Sequence, residues 1–223
     1  MINVVCILWG DKFPETYAQN LKSMVERNTT VPHRFICLSD RQIKGVETKI
    51  LRPGFSGWWN KLQIFDGSIK GRVVYLDLDT VITNNIDWLL NYKGPFAGIE
   101  DLGSVNAHQK HLCGVLQSAV MTFESSKMDW IWFEFMMKKQ TVMQQFRGDG
   151  EYLHSIVPGP VLLQRKFPEK IKSYKYQVYP DNIGDTSIVC FHGRPSIIQA
   201  MNESVTTPMR TYDPQDWVKD YWK

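Results

Sequence analysis

The first part of the chain shows two kinds of apolar pattern: continuous apolar runs, which predict strands, and apolar residues at helical spacing between them, which predict a helix. Residues 3–9 are apolar almost throughout, which predicts a strand that is buried on both faces. Residues 14–28 place apolar side chains three and four positions apart, as an amphipathic helix does. A second apolar run follows at 33–38. A strand, a helix and a strand in about 40 residues are typical of a βαβ unit, so we predict a parallel sheet.

The rest of the chain continues the α/β pattern less regularly. Strands are predicted at 47–51, 72–76, 115–123 and 187–191, and helices at 58–65, 127–146 and 217–222. The helix at 127–146 is apolar on nearly every side and is expected to lie in the core. Glycines and polar residues are frequent in 93–110, which predicts a surface loop over a site. Because no repeat or linker divides the sequence, we predict one α/β domain.

Length and composition describe a globular chain and exclude several classes of protein. The 223 residues are 43% hydrophobic and 22% charged, which is enough to bury a core without disulfide bonds. Lys and Arg number 26 against 23 Asp and Glu, and this balance argues against a nucleic-acid-binding protein. No apolar run reaches the roughly 18 residues that span a bilayer, so no transmembrane segment is predicted.

The cysteines and the first residues bear on the cellular compartment. Cys6, Cys37, Cys113 and Cys190 lie far apart, and no pair has the CxxC spacing of a zinc or redox motif. Buried free thiols are therefore expected, as in a reducing environment. The first ten residues lack the basic segment of a signal peptide, so we predict a cytoplasmic protein.

Two aspartates stand at the carboxyl end of the strongest predicted strand, 72–76. Asp77 and Asp79 are two positions apart and project from the same side of an extended chain, toward the crevice where α/β sheets bind ligands. Such close like charges repel, and Mg²⁺ or Mn²⁺ with oxygen ligands relieves the repulsion. His192 ends another apolar strand, before Gly193, and an added imidazole favours Mn²⁺. Exposed aspartates and a simple loop histidine are the alternative.

Phosphatases of the haloacid dehalogenase type also carry Asp-x-Asp at a strand end, the first as nucleophile and the second as acid or base. Residues 77–81 fit that pattern, and 148–150 faintly resemble its later acidic motif. However, the first aspartate of that class follows the first strand, whereas about 75 residues precede Asp77. Leu153 and His154 also stand where its next carboxylate is expected. A phosphatase that uses this aspartate pair therefore stays an alternative.

Four segments together resemble the glycogenin-like, family 8 type of GT-A glycosyltransferase. The segment 73–82 is similar to the strand that carries its DxD motif, and 59–62 to the segment that brings a basic residue to the diphosphate. Residues 148–153 resemble the start of its Asp-Gln-(Asp/Glu) helix. Residues 191–195 resemble its C-terminal His-Gly loop for metal and phosphate. The order and spacing agree over roughly residues 1–200.

The resemblance implies a fold and a reaction. The fold is a single GT-A-type α/β domain with a mixed, mostly parallel sheet flanked by helices. Its Rossmann-like half, 1–83, would bind the nucleotide sugar, and 84–223 would form the acceptor half and the C-terminal metal and phosphate loop. The reaction moves a sugar from a UDP-sugar to a hydroxyl acceptor, with retention and with a bound metal ion.

The resemblance also implies a role for each matching residue. Asp77, Asp79 and His192 would hold Mn²⁺ (or Mg²⁺) against the diphosphate, where it stabilises the charge on departing UDP. Asp149 and Gln117 would contact the reacting sugar as catalytic-site residues. The residues implied to bind the donor are Trp9, Gly10, Asp11, Lys61, Asp77, Gly193 and Arg194.

Two positions depart from the family's pattern. Gly150 stands where the family has a Gln that is a candidate for stabilising the anomeric carbon, and Ser196 stands where it has a Lys. A divergent acceptor, an altered donor or a degenerate enzyme would each explain these changes. A non-catalytic sugar-binding module therefore stays open, and eight Trp, nine Tyr and eleven Phe favour it as well. The sequence leaves open the donor sugar, the oligomeric state and whether the acceptor is a glycan, a protein or a small molecule.

Overall fold

The strands form one large and two small sheets. A computed structural model describes residues 1–223, except the side chain of Ala107. Its strands are β1 (Ile2–Leu8), β2 (Arg34–Ser39), β3 (Glu47–Ile50), β4 (Arg72–Leu76), β5 (Thr80–Ile82), β6 (Ala97–Glu100), β7 (Leu116–Glu124), β8 (Val161–Leu162), β9 (Ile171–Ser173), β10 (Ile188–Cys190), β11 (Val205–Thr206) and β12 (Thr211–Tyr212). The main sheet has the order β3-β2-β1-β4-β7-β6-β8, and the others are β5-β10-β9 and β11-β12.

The main sheet is mixed and mostly parallel. Strand β1 is parallel to both β2 and β4, with Val4 opposite Phe35 on one side and Val74 on the other. The pairs β2–β3 and β6–β8 are also parallel, whereas β7 runs antiparallel to β4 and to β6. Four of the six pairs are therefore parallel, and the predicted α/β fold is confirmed.

Helices cover the sheets. They are α1 (Thr16–Arg27), α2 (Asp87–Leu90), α3 (Ser125–Met128), α4 (Trp130–Gln145), α5 (Asp149–Ile156), α6 (Leu163–Lys166), α7 (Ile197–Asn202) and α8 (Asp216–Tyr221). Two 3₁₀ helices span Gly57–Phe65 and Ala107–Leu112, and a π-helical turn spans Tyr174–Val178. None of the helices in the described part of the chain has the length and apolar content to cross a membrane.

The first strand shows how the main sheet builds a core on each face. Val4, Cys6 and Leu8 enter one hydrophobic cluster, while Val5 and Ile7 enter the other. Side chains alternate across a strand, so an unbroken apolar run is the pattern required for burial on both faces. Helix α1 covers the first face, and the 3₁₀ helix 57–65 with α4 and α5 covers the second.

Aromatic packing on the second face holds three elements against one another. The ring of Trp59 stacks on Phe135 of α4, with centroids 5.7 Å apart and an interplanar angle of 9°. Tyr152 of α5 packs on both, at 6.0 Å from Phe135 and 6.5 Å from Trp59. Each such pair adds to the burial of apolar area. This packing fixes the 3₁₀ helix and α5 beside the end of β4.

The helix predicted at 127–146 differs from the expectation in two ways. It is two helices, α3 and α4, and α4 is buried on one face only. Ile131 and Phe135 are fully buried, whereas Phe133 is 62% exposed and Met137 85% exposed. A helix that lies on a sheet at the surface can bury only one face. The prediction of burial on every side is therefore wrong for the opposite face.

Two smaller expectations are also corrected. Cys6, Cys37 and Cys190 are buried free thiols as predicted, but Cys113 is exposed. It follows a 3₁₀ helix and not a strand, so no sheet covers it. The segment predicted as a loop at 93–110 contributes β6 to the main sheet.

We predict that Phe135→Ala destabilises the protein by about 3–5 kcal/mol, because it removes a fully buried ring and leaves a cavity beside Trp59. Phe133→Ala is the control on the same helix, since its ring is 62% exposed, and we expect a change of about 0.5 kcal/mol or less. Urea denaturation followed by circular dichroism measures both. Equal losses for the two variants would contradict the packing described.

Candidate functional site

Asp77 follows β4 directly, and contacts on three sides hold it in place. Its backbone N–H donates to the carbonyl of Ala119 on β7 at 2.8 Å. Its carbonyl accepts from the Thr80 hydroxyl at 2.7 Å, which closes a tight turn. The hydroxyl of Tyr75, two residues earlier, donates to Asp77 Oδ1 at 2.6 Å. The end of the strand therefore fixes one carboxylate at the edge of the sheet.

Lys61 places its ammonium between carboxylates from two different elements. Its Nζ lies 2.9 Å from Asp77 Oδ1 and 3.4 Å from Asp149 Oδ2. It also donates to Ser118 Oγ at 3.1 Å, and Ser118 in turn donates to Asp149 Oδ2 at 2.5 Å. The side chains of Lys61 and Asp149 are only 8% and 5% exposed. In such a dry place each charge depends on its partners, because desolvation of an unpaired ion is costly.

The pKa values show that this cluster carries its charges against the cost of burial. Burial lowers the pKa of Lys61, but Asp149 and Asp77 outweigh it and raise that pKa above its ordinary value. For Asp149 burial is the largest effect, and it raises the pKa in spite of Lys61 and Ser118. Lys61 thus remains an ammonium, and it holds the two carboxylates together.

Asp79 brings a further carboxylate to the same place. Burial, followed by the charge of Asp77, raises its pKa to about 7, and the opposing effects of Lys12 and Lys61 are smaller. The backbone N–H of Phe191 donates to the carbonyl of Asp79 at 2.8 Å, which ties the turn to the end of β10. The pair Asp77 and Asp79 is therefore a centre of negative charge that Lys61 neutralises only in part.

His192 follows β10, but it turns toward the segment after β9. Its Nε2 lies 2.8 Å from Ser173 Oγ, and its ring lies 5.5 Å from that of Tyr176. Burial, and then the charge of Lys175, lower its pKa to about 4, so the ring is neutral at pH 7. Neutral imidazole is the form that binds metal ions.

The three predicted metal ligands are not preassembled. Among the described residues, no three His, Cys, Asp or Glu side chains stand close enough together to hold a metal ion. These side chains have other partners: the His192 ring lies at hydrogen-bond distance from Ser173, and Asp77 forms an ion pair with Lys61 and accepts a hydrogen bond from Tyr75. The aspartate pair itself fits a divalent cation, because carboxylate oxygens suit such an ion and the charge of Asp77 adds to burial in raising the pKa of Asp79. His192 as the third ligand stays a prediction.

Lys61, Asp77 and Asp149, with Ser118 and Tyr75, form a cluster that we name the Lys61 cluster. Two clefts meet at this cluster. We name the first the β1 cleft; its wall includes Trp9, Lys12, Phe13, Leu78 and Asp79. We name the second the α5 cleft; its wall includes Asp101, His111, Gln117, Arg147, Asp149, Glu151 and His154. Trp58, Lys61 and Asp77 line both clefts. A molecule in one cleft would therefore meet a molecule in the other at these three side chains.

The residues predicted to bind a nucleotide are brought together only in part. Trp9 lines the β1 cleft and is 39% exposed, and Gly10 has a φ of +60°, a conformation that favours glycine. The Gly10 N–H donates to Asp40 Oδ2 at 2.7 Å, so the turn is anchored. Asp11 and Arg194 are exposed and are not among the described residues that line either cleft.

Of the two departures from the family's pattern, Ser196 has a local structural explanation, and no steric contact requires the glycine at position 150. Ser196 is the N-cap of α7: its Oγ accepts from the Gln199 N–H at 3.3 Å, and the Gln199 side chain accepts from the Ser196 N–H. Gly150 lies beside Ser118, whose Oγ would be 3.5 Å from a Cβ added there. Neither position offers the side chain that the family places there.

Sequence reasoning missed several polar residues of the site. Gln117 Nε2 donates to Asp101 Oδ2 at 2.5 Å, which makes Asp101 part of the α5 cleft beside a predicted residue. Ser118 and Tyr75 belong to the Lys61 cluster. In the sequence, Ser118 comes directly after Gln117, and Tyr75 lies two positions before Asp77. Because side chains two positions apart lie on the same face of a strand, Tyr75 could have been placed beside Asp77 from the sequence. No comparable pattern pointed to Asp101.

Solved structures with the same architecture are glycosyltransferases. The galactosyltransferase LgtC, solved with donor and acceptor sugar analogues, aligns with a TM-score of 0.59 and 13% identity over 87% of this chain and 88% of its own. The chain has the GT-A glycosyltransferase fold. GlyE from Streptococcus pneumoniae TIGR4 aligns at 0.61 and 13% identity, over 88% of this chain and 56% of its own. The bifunctional WbbM aligns at 0.60 and 12%, over 88% and 46%.

These likenesses confirm the GT-A resemblance at the level of the fold. At 12–13% identity they do not define the reaction. No family model matches the sequence, and no curated protein matches it significantly. In the GT-A fold of this chain, Asp77 follows β4 and not the first strand, which is the departure from the phosphatase pattern seen in the sequence.

We predict that Asp79→Asn stabilises the metal-free protein at pH 8 by roughly 2 kcal/mol, because it removes a carboxylate that is buried and that repels Asp77. The folded state keeps the Asp79 proton up to about pH 7, whereas the ordinary pKa is 3.8. Stability due to this proton is therefore present below pH 4 and lost as the pH rises through 7. The gain in the variant should shrink to nothing near pH 4.

Urea denaturation in EDTA at several pH values measures this difference. Glu26→Gln is the control, since Glu26 is an exposed residue of α1, and its difference from the wild type should not change with pH in this way. Parallel curves for the wild type and Asp79→Asn between pH 4 and pH 8 would show that neither burial nor the charge of Asp77 raises the pKa of Asp79.

We predict that Lys61→Met lowers the free energy of unfolding by about 3 kcal/mol or more at pH 8, because two carboxylates lose their shared partner. Lys172→Met is the matched control. Its side chain is also 8% exposed, but its partner Glu169 is 71% exposed, so we expect a loss of about 1 kcal/mol or less. Urea denaturation measures both, and equal losses would contradict the importance of the Lys61 cluster.

Proposed function

We propose that the protein is a metal-dependent glycosyltransferase that moves a sugar from a UDP-sugar to a hydroxyl of an acceptor. The observation that carries the proposal is the Lys61 cluster at the junction of the two clefts. Transfer of a group from a donor to an acceptor needs a place where the two ligands meet at a charged centre. Lys61, Asp77 and Asp149 supply such a charged centre. The GT-A fold supports this reading.

Asp77 and Asp79 would hold the divalent cation, Mn²⁺ or Mg²⁺, with His192 as the proposed third ligand. Their mutual repulsion supports this assignment, and so does the neutral state of the His192 ring. When bound, the cation would stabilise the negative charge that develops on a departing diphosphate.

Lys61 would act on the same charge from the protein side. Its ammonium is buried and kept protonated by Asp77 and Asp149, so it presents a fixed positive charge without a need to reorganise. Asp149, held by Ser118 and Lys61, would accept hydrogen bonds from sugar hydroxyls. Asp101 and Gln117 would do so from the facing wall of the α5 cleft.

The β1 cleft would take the nucleotide. Trp9 and Phe13 line it and offer ring faces for a base, while Lys12 adds a positive charge near Asp79. Gly193, with a φ of +74°, and the exposed Arg194 would border the phosphates from the loop after β10. The proposal includes retention of configuration because the family resemblance implies it. No single residue of the site determines the stereochemistry of transfer.

We predict that the protein binds UDP in the presence of Mn²⁺, and that Asp79→Asn weakens this binding by about 30-fold or more, because the cation loses a carboxylate ligand. Isothermal titration calorimetry with UDP, in Mn²⁺ and in EDTA, measures the effect. Glu26→Gln is the control and should bind as the wild type does. UDP binding that is equal in EDTA and in Mn²⁺ would overturn the metal dependence.

The alternatives give different results in the same preparation. A haloacid-dehalogenase-like phosphatase would release phosphate from an aryl phosphate with Mg²⁺ and would show no preference for UDP. A non-catalytic sugar-binding module would bind UDP or sugars but would not release free sugar from any UDP-sugar in a donor panel. The proposed enzyme should hydrolyse at least one donor slowly, since water can replace a missing acceptor.

A further inference from the structure

Two adjacent tryptophans have opposite environments. Trp59 is 7% exposed and stacks on Phe135, whereas Trp58 is 63% exposed. An exposed indole leaves a large apolar surface in water, and such a surface at a cleft is typical of a binding site. Packing in the core thus explains the presence of a large aromatic side chain at Trp59, but it does not explain the one at Trp58.

The backbone presents the Trp58 ring in a defined place. Gly57, immediately before it, has a φ of +57°, a conformation that other residues rarely adopt. On the far side, a Cβ added to Gly148 would lie 3.7 Å from Trp58 Cε3. The ring therefore rests against the residue that precedes Asp149. A ligand on this ring would lie beside the Lys61 cluster.

The composition of the α5 cleft around Trp58 indicates the class of ligand. Trp58 is the one Phe, Tyr or Trp among its described wall residues. Around it stand polar side chains, including Arg147, which is 93% exposed, and Glu151, which is 43% exposed and forms an ion pair with it at 3.5 Å. One aromatic surface in a cleft that also offers charged hydrogen-bonding groups matches a ligand with an apolar face and a polar rim.

We infer that Trp58 is the floor of an acceptor subsite and that the acceptor is a carbohydrate whose ring stacks on the indole. A sugar ring presents C–H groups on one face and hydroxyls around its edge, which Arg147 and Glu151 can bind. The nucleotide has other aromatic partners, because Trp9 and Phe13 line the β1 cleft. This inference rests on the proposed glycosyltransferase function and selects a glycan from the three acceptor classes.

Saturation-transfer-difference NMR with lactose, maltose, cellobiose and N,N′-diacetylchitobiose tests the inference, with and without UDP and Mn²⁺. We expect at least one of the four to bind through its ring C–H protons. Trp58→Ala should weaken that binding about tenfold, and Trp58→Phe should restore most of it, because a ring face returns. Phe133→Ala, which removes a ring of similar exposure outside both clefts, should leave the binding unchanged.

The outcomes separate the inference from the proposed function. Failure of all four disaccharides to bind a protein that binds UDP would overturn the glycan acceptor and leave the glycosyltransferase proposal standing. Disaccharide binding that is equal in the wild type and in Trp58→Ala would overturn the role of Trp58. A wild-type protein that binds disaccharides but not UDP would refute the proposed reaction and favour the sugar-binding module.

Discussion

The contact of one buried ammonium with two carboxylates is the constraint on which the site depends. Lys61 comes from a 3₁₀ helix, Asp77 from the end of β4 and Asp149 from the start of α5. An unpaired ion in such a place would cost several kcal/mol, so the three elements must stay in register. The stacked rings of Trp59 and Phe135, with Tyr152 packed against both, provide the packing that keeps them there.

The charges at the junction of the clefts do not balance, and the imbalance has a chemical meaning. Asp77, Asp79 and Asp149 meet one buried ammonium, and burial, followed by the charge of Asp77, raises the pKa of Asp79. A divalent cation would remove that imbalance and would then attract a diphosphate to a place that now repels anions. In the proposed function, the cation would therefore accompany or precede the nucleotide.

The sequence was informative where the physics is local. The apolar run of β1 predicted a strand that is buried on both faces, as it is in the structure. The mostly apolar run of β4 drew attention to Asp77 and Asp79 at its end. Contacts between distant segments gave no signal, since Lys61 and Asp149 are 88 residues apart and either could have been a surface charge. The same limit explains α4: its composition is apolar on all sides, but only packing decides that Phe133 faces water.

The glycines that flank Asp149 bear on what the α5 cleft can accept. Gly148 and Gly150 carry no side chains; the Trp58 ring lies beside Gly148, and Ser118 lies beside Gly150. A side chain at position 150 would point toward Ser118 Oγ, which already holds Asp149 Oδ2. The absence of a side chain at position 150 therefore leaves the contact between Ser118 and Asp149 undisturbed, and it leaves that part of the α5 cleft wall without a side chain. For the proposed glycosyltransferase, the glycine at position 150 would thus change the α5 cleft, where the acceptor would lie, and not the contacts of Lys61.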